Sequence, residues 1–198
     1  MKPFRKITPC RTFTKKHSDY ASYKEPLSND FIRRCGYCDD ADFLCGGKRG
    51  FHIDHFRPQK HFPLLKNEYS NLVYACPYCN ISKSDDWPSG IEDKTILDDK
   101  GYIDPCDENF IDHFERYDNG RIRAKTNVGK YMYKKLKLGL RRHQLAWGYE
   151  QLRVLQKELV KEIKIINSDN QLINEAKNAL YRLTEEFLRH QDLFEETL

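Results

Sequence analysis

Between residues 35 and 83 two CxxC pairs, an Asp-His pair and the asparagines Asn71 and Asn80 stand in an order that has chemical meaning. The cysteines form two CxxC pairs, Cys35-Gly-Tyr-Cys38 and Cys76-Pro-Tyr-Cys79. Two plus two thiolates suit a closed tetrahedral zinc site. Gly36 and Pro77 follow the first cysteine of each pair, where the chain must turn tightly and aim backbone N–H groups at sulfur. A redox-active CxxC would need one pair working alone, and two pairs around one segment argue against it. Inside the bracket lie His52-Ile-Asp54-His55-Phe-Arg57-Pro58 and Asn71-Leu-Val-Tyr-Ala75, and Asn80-Ile-Ser-Lys83 follows the second pair directly. Asp54 and Asn80 offer oxygen ligands to a hard cation such as Mg2+ or Mn2+, which keeps several waters. His55 titrates near neutrality and can take a proton from an attacking water. A cation beside such a base suits hydrolysis of a phosphodiester.

These groups need elements to hold them. Residues 51–55 read as a short strand, 71–75 as a second, and 79–83 as a first helical turn. Stapled by zinc, they would gather the end of the first strand and the start of the helix, and with them Asp54, His55 and Asn80. Arg57 and Lys60 follow the base, and Lys83 lies one turn past Asn80, so all three are candidate phosphate contacts. His52 shares a strand face with Asp54 and reads as a hydrogen-bonded structural histidine before a proton shuttle. Tyr74, Tyr78 and Trp87 read as packing before base stacking. Cys45 is the one rival zinc ligand, since it follows Cys38 closely.

The order Asp54-His55, Asn71, Asn80 between zinc knuckles resembles the HNH endonucleases, the ββα-metal nuclease family. The resemblance implies a catalytic set of His55, Asp54, Asn71 and Asn80. His55 would be the general base, and Asp54 and Asn80 the ligands of Mg2+ or Mn2+. Asn71 would pin the loop between the strands, and Cys35, Cys38, Cys76 and Cys79 would hold a structural Zn2+. The last position departs from the family name, being Asn80 and not His. An amide oxygen still serves Mg2+ but is a poorer donor to softer ions. Glu68-Tyr-Ser-Asn-Leu72, Cys79-Asn-Ile-Ser-Lys-Ser84 and Ile103-Asp-Pro105 are similar to the HNH nuclease subunits of Septu and some retron anti-phage systems. Those nucleases work beside an ABC/SMC-like ATPase. The narrower resemblance therefore implies a function in phage defence and a partner that gates cutting, with DNA the expected target of the nuclease. The competing readings are a stand-alone restriction-type nuclease, one that cleaves tRNA or other RNA, and a zinc module that binds nucleic acid without catalysis.

Composition frames these readings. The chain has 198 residues, of which 32% are charged, and its mean hydropathy is -0.81. It has neither a membrane-length apolar run nor the apolar segment of a secretory signal near Met1. A cytoplasmic protein that avoids membranes is expected. The other cysteines, Cys10, Cys45 and Cys106, make no disulfide framework. Residues 1–18 and 129–143 are basic blocks without acids, which a phosphate backbone would attract, and 85–118 is acid-rich.

The expected organisation has four parts. Residues 1–30 are a basic lead-in with Pro3, Pro9 and Pro26 as breakers, and 31–85 the zinc-stapled core. Residues 86–125 are an acidic loop and a hairpin turning at Asn119-Gly120, and 126–198 are helical. Leu152, Leu155, Leu159, Ile163 and Ile166 form one apolar stripe, and Ile173, Ala176, Leu180, Leu183 and Phe187 another. Asn167–Asn170 breaks them, with Ser168 or Asp169 as the cap, which predicts an antiparallel hairpin. The fold class is thus α+β and mainly helical: a small zinc-stapled ββα-metal HNH core with a C-terminal helical hairpin.

Overall fold

The computed structural model describes residues 2–165 and 170–197, and the chain divides into two compact units after Leu140. In the first unit β1 (Lys2–Pro3) is followed by α1 (Lys24–Asp30), α2 (Gly47–Gly50), β2 (His52–His55), β3 (Leu72–Ala75) and α3 (Pro77–Lys83). Then come β4 (Ile96–Leu97), β5 (Lys100–Gly101), β6 (Phe114–Arg116), β7 (Ile122–Ala124) and α4 (Asn127–Lys135). The second unit holds α5 (Arg141–Ile165) and α6 (Asn170–Glu195).

The ββα centre is β2, β3 and α3. The two strands pair antiparallel, with Asp54 opposite Val73 and His55 opposite Leu72. All four residues of β3 are buried, so both of its faces are covered. Helix α3 starts where Cys76 takes the N-cap with Pro77 behind it, and the Cys76 sulfur accepts the Cys79 N–H at 3.4 Å. One cysteine therefore caps a helix and belongs to the sulfur cluster. The helix ends at Ser84, whose φ is +51°.

Buried arginines tie the surrounding elements to this centre. Arg116 on β6 donates to the carbonyls of Cys38 (2.7 Å), Gly120 (2.9 Å) and Phe4 (3.2 Å). Arg5 donates to the carbonyls of Gly36 and Pro105 and lies 4.2 Å from the Phe110 ring centre. Arg11 bonds the Leu72 carbonyl and grips both oxygens of Asp104. Two of the six cations of the first basic block are thus structural. Carbonyl-rich loops need donors when buried, and a guanidinium supplies up to five. Pro26 lies inside the first turn of α1, where no N–H bond is lost, and does not break it.

The hairpin turns at Gly120 (φ +84°), and Tyr117 N–H donates to the Arg121 carbonyl at 2.9 Å. Helix α4 belongs with the first unit, so the helical region from 126 is not one body. Its Val128 and Met132, with Leu136 and Leu138 after it, are buried in the first unit's core.

In the second unit α5 and α6 run antiparallel. Tyr149 meets Phe187 at 4.5 Å between ring centres, and Gln156 meets Thr184 at 3.3 Å. Leu152, Leu159 and Ile163 are half-buried, as is every residue of the α6 stripe. Leu155 departs from expectation. It is 50% exposed, and Gln156 takes its place in the seam, because two helices bury only a narrow stripe. Ile166 and the expected caps Ser168 and Asp169 lie outside the described residues. No helix among the described residues is long and apolar enough to cross a membrane.

Candidate active site and zinc centre

The ligand sulfurs of Cys35, Cys38, Cys76 and Cys79 lie within 4.8 Å of one another and are buried. A tetrahedron with metal–sulfur bonds of about 2.3 Å has edges of about 3.8 Å. The Cys38 and Cys76 sulfurs are 3.7 Å apart. Burial, then the neighbouring sulfurs, pushes the Cys38 and Cys79 thiols well above their usual range. Thiolates packed this way need a cation between them, and sulfur donors select a soft or borderline one. The residues fit zinc. Cys45 is outside the cluster.

Gly36 is required at the first knuckle. A Cβ there would sit 2.8 Å from both Phe31 and Val73. The knuckle is therefore wedged against the strand residue that faces Asp54 across the sheet.

A cleft of about 560 Å3 opens beside α3 and is lined by Asp54, His55, Lys60, Asn80, Tyr20 and Asp85, among others. Asp54 is buried at the end of β2, where Tyr37 Oη donates to its Oδ2 at 2.5 Å. Burial, then the Asp54 charge, pushes the Tyr37 phenol well above its usual value, so it donates as O–H. The Lys83 ammonium lies 3.2 Å from the same oxygen and 2.8 Å from the His55 carbonyl.

His55 directs Nε2 to the Lys66 carbonyl at 2.9 Å. A carbonyl only accepts, so Nε2 carries the hydrogen and Nδ1 keeps the lone pair. Burial lowers the His55 pKa against the raising effects of the Lys66 carbonyl and of Asp54. The shift favours the neutral ring, whose accepting atom is Nδ1. Tyr20 packs its ring edge-on to it at 4.9 Å.

Asn80 pairs its Nδ2 with His52 Nδ1 at 2.9 Å. With the amide nitrogen so engaged, Oδ1 is the atom left for a cation. One carboxylate and one amide oxygen on a polar cleft suit a hard ion that keeps most of its water. Asn71 is buried outside the cleft. Its Oδ1 accepts the Arg57 N–H at 2.9 Å and its Nδ2 donates to the Arg57 carbonyl at 3.0 Å. It holds the backbone at Arg57, two residues past His55.

Two expected phosphate contacts are placed otherwise. Lys83 is 0% exposed and serves as the counterion of Asp54, because α3 ends by turning its last residue inward. Arg57 is absent from the cleft lining, and its Nε donates to the Glu92 carbonyl at 2.8 Å. Lys60 does line the cleft, ion-paired with Asp85. Sequence reasoning missed Tyr37, Tyr20 and the Lys66 carbonyl. Only Tyr37 left a trace, as a phenol inside a CxxC.

A four-sulfur cluster stapling a ββα unit, with an acid, a neutral histidine and an amide at its cleft, defines a metal-dependent nuclease core. The comparison with protein families agrees: residues 35–86 match the family model described as HNH endonuclease. The chain thus carries an HNH endonuclease domain and is a phosphodiester hydrolase that depends on metal. No curated protein and no solved structure gives a significant match to it.

Proposed function

We propose that the domain cleaves DNA, with His55 as general base and Asp54 and Asn80 as ligands of Mg2+ or Mn2+. The observation that carries this is the cleft itself. Asp54, His55 and Asn80 all line it, and the His55 ring has one nitrogen engaged by Lys66 and the other unengaged. His55 Nδ1 takes the proton of the water that attacks phosphorus. Asn71 keeps that histidine's loop still, and Lys83 and Tyr37 hold the carboxylate. A bound cation supplies positive charge against the phosphoryl oxygens and the leaving 3′ oxygen. The products are then a 5′-phosphate and a 3′-hydroxyl, as the HNH resemblance implies. Zn2+ in the sulfur cluster has a structural part only.

A plasmid-cleavage assay with Mg2+ or Mn2+ tests this reading, comparing the wild type with His55→Ala. Cutting by the wild type, with a loss of about 10²–10⁴-fold in the variant, is the expected result. Equal cutting by both would overturn the assignment of the base. A labelled tRNA in parallel separates RNA from DNA cleavage.

The narrower resemblance supports an anti-phage effector working with an ABC/SMC-like ATPase in the cytoplasm. The exposed apolar residues of α5 and α6, among them Leu155, Tyr181 and Leu188, offer a partner an apolar surface. Size-exclusion analysis beside a candidate ATPase would separate a partnered subunit from a stand-alone nuclease.

A further inference from the structure

Tyr37 belongs to two sites at once. It is one of the two residues between Cys35 and Cys38, and its hydroxyl reaches Asp54 at 2.5 Å. We infer that Tyr37 is a positioning residue that transmits the geometry of the sulfur cluster to the cleft, fixing the Asp54 carboxylate for its divalent cation. The inference rests on the reading of Asp54 as a cation ligand.

The terminal torsion of an aspartate is broad and roughly two-fold, so a carboxylate without partners smears its oxygens over many directions. Here Oδ2 accepts from Tyr37 and lies 3.2 Å from the Lys83 ammonium, while Oδ1 is 3.5 Å from that ammonium. Oδ1 accepts only the long bond from Lys83 and keeps a lone pair for a cation in the cleft. The two donors do different work. Lys83 compensates the buried charge, but an ammonium also repels an incoming cation. A neutral hydroxyl orients the carboxylate without that repulsion.

Tyr37 can do this because it has nowhere else to go. It is 0% exposed. Its neighbour Gly36 is packed against Phe31 and Val73 with no room for a Cβ, and the Gly36 N–H donates to the Tyr74 carbonyl at 2.8 Å. The Asp39 N–H donates to the Cys35 carbonyl at 3.0 Å, closing the turn from the other side. Two sulfur ligands at its ends and strand β3 beneath it thus fix the knuckle. A displacement of the sulfurs moves the phenol, and the phenol moves the acid.

The test uses the full chain loaded with zinc and reads Mn2+ binding by calorimetry in the wild type, Tyr37→Phe and Asp54→Ala. Tyr37→Phe should keep its zinc and its circular dichroism and bind Mn2+ about 10–100-fold more weakly, the usual cost of removing a group behind a ligand. An affinity within twofold of wild type overturns the inference, provided Asp54→Ala binds weakly. Asp54→Ala binding as well as wild type, or a wild type that binds no Mn2+, overturns the ligand reading and the inference together. A second measurement needs no variant. With Co2+ in the sulfur site, read by its visible bands, saturating Mn2+ should tighten Co2+ binding, because coupling between two sites is reciprocal. A Co2+ affinity unchanged by Mn2+ would overturn the transmission.

Discussion

The Nε2 atom of His55 lies 2.9 Å from the carbonyl oxygen of Lys66, eleven residues along the chain. That bond fixes the tautomer, leaves Nδ1 as the basic atom, and holds the ring against rotation. Burial is the largest influence on this histidine and lowers its pKa below the ordinary 6.5. On the proposed role of His55 as base, the working form is the neutral one. Activity should therefore be lost as pH falls through the lowered pKa and be level above it. We expect the acid limb of kcat/KM to be half-maximal below pH 6.5 and the profile to level off above that midpoint. A midpoint above pH 7 would assign the limb to another group.

Lys83 gives a prediction that separates two roles. Its ammonium is fully buried against Asp54, which is itself nearly so. Removing one partner of a buried pair leaves an uncompensated charge and costs about 3–5 kcal/mol. Lys83→Met should lower the denaturation midpoint of metal-poor protein by an amount of that order. Mn2+ should then raise the midpoint more in the variant than in the wild type, because a bound cation takes over the compensation. A lysine that gripped substrate would behave in the opposite way: stability unchanged, nucleic-acid affinity reduced. Denaturant titrations with and without Mn2+ decide between them.

The contrast shows what the sequence makes legible. The four cysteines could be read because zinc demands a donor type and a spacing, and both are written in the chain. The two strands and the Asn119-Gly120 turn were legible for the same local reasons, while α3 begins at Pro77, two residues before the expected turn at 79–83. Lys83 was not, since helical spacing places it beside Asn80 but cannot say that α3 ends by turning inward. The Lys66 carbonyl carries no sequence signature at all, because every residue has one. Charge counting also overstated the first basic block. Arg5 and Arg11 look identical to solvent-facing cations until the carbonyls of Gly36, Pro105 and Leu72 are seen to need donors. Leu155 and Gln156 exchanged places because a one-residue shift of phase leaves the apolar count of the stripe almost unchanged.

What remains of that basic block points to a path for the substrate. Lys15 and Lys16 are exposed and line a second cleft of about 310 Å3, with Phe13, His17, Asn67 and Tyr69. The segment that carries them is pinned at both ends. Asp30 accepts from Thr12 N–H at 2.7 Å and from its hydroxyl at 2.6 Å, and Asn67 bonds Tyr20 N–H at 3.0 Å and the Ser18 carbonyl at 2.8 Å. Tyr20 then lines the catalytic cleft. Five residues of extended chain span at most about 18 Å, so the backbone of Lys15 and Lys16 lies within that distance of Tyr20 at the cleft. Each phosphate neutralised contributes about 0.9 to the slope of log K against log salt on duplex DNA. Lys15→Ala with Lys16→Ala, made in a His55→Ala protein so that nothing is cut, should reduce that slope by about 2. Binding at low salt should weaken while the fold and zinc content stay as they were. Fluorescence anisotropy of a labelled duplex across a salt series measures both. An unchanged slope would mean that the strand leaves the cleft by another side, past Lys60 and Asp85, where the ion pair would have to open before phosphate could enter.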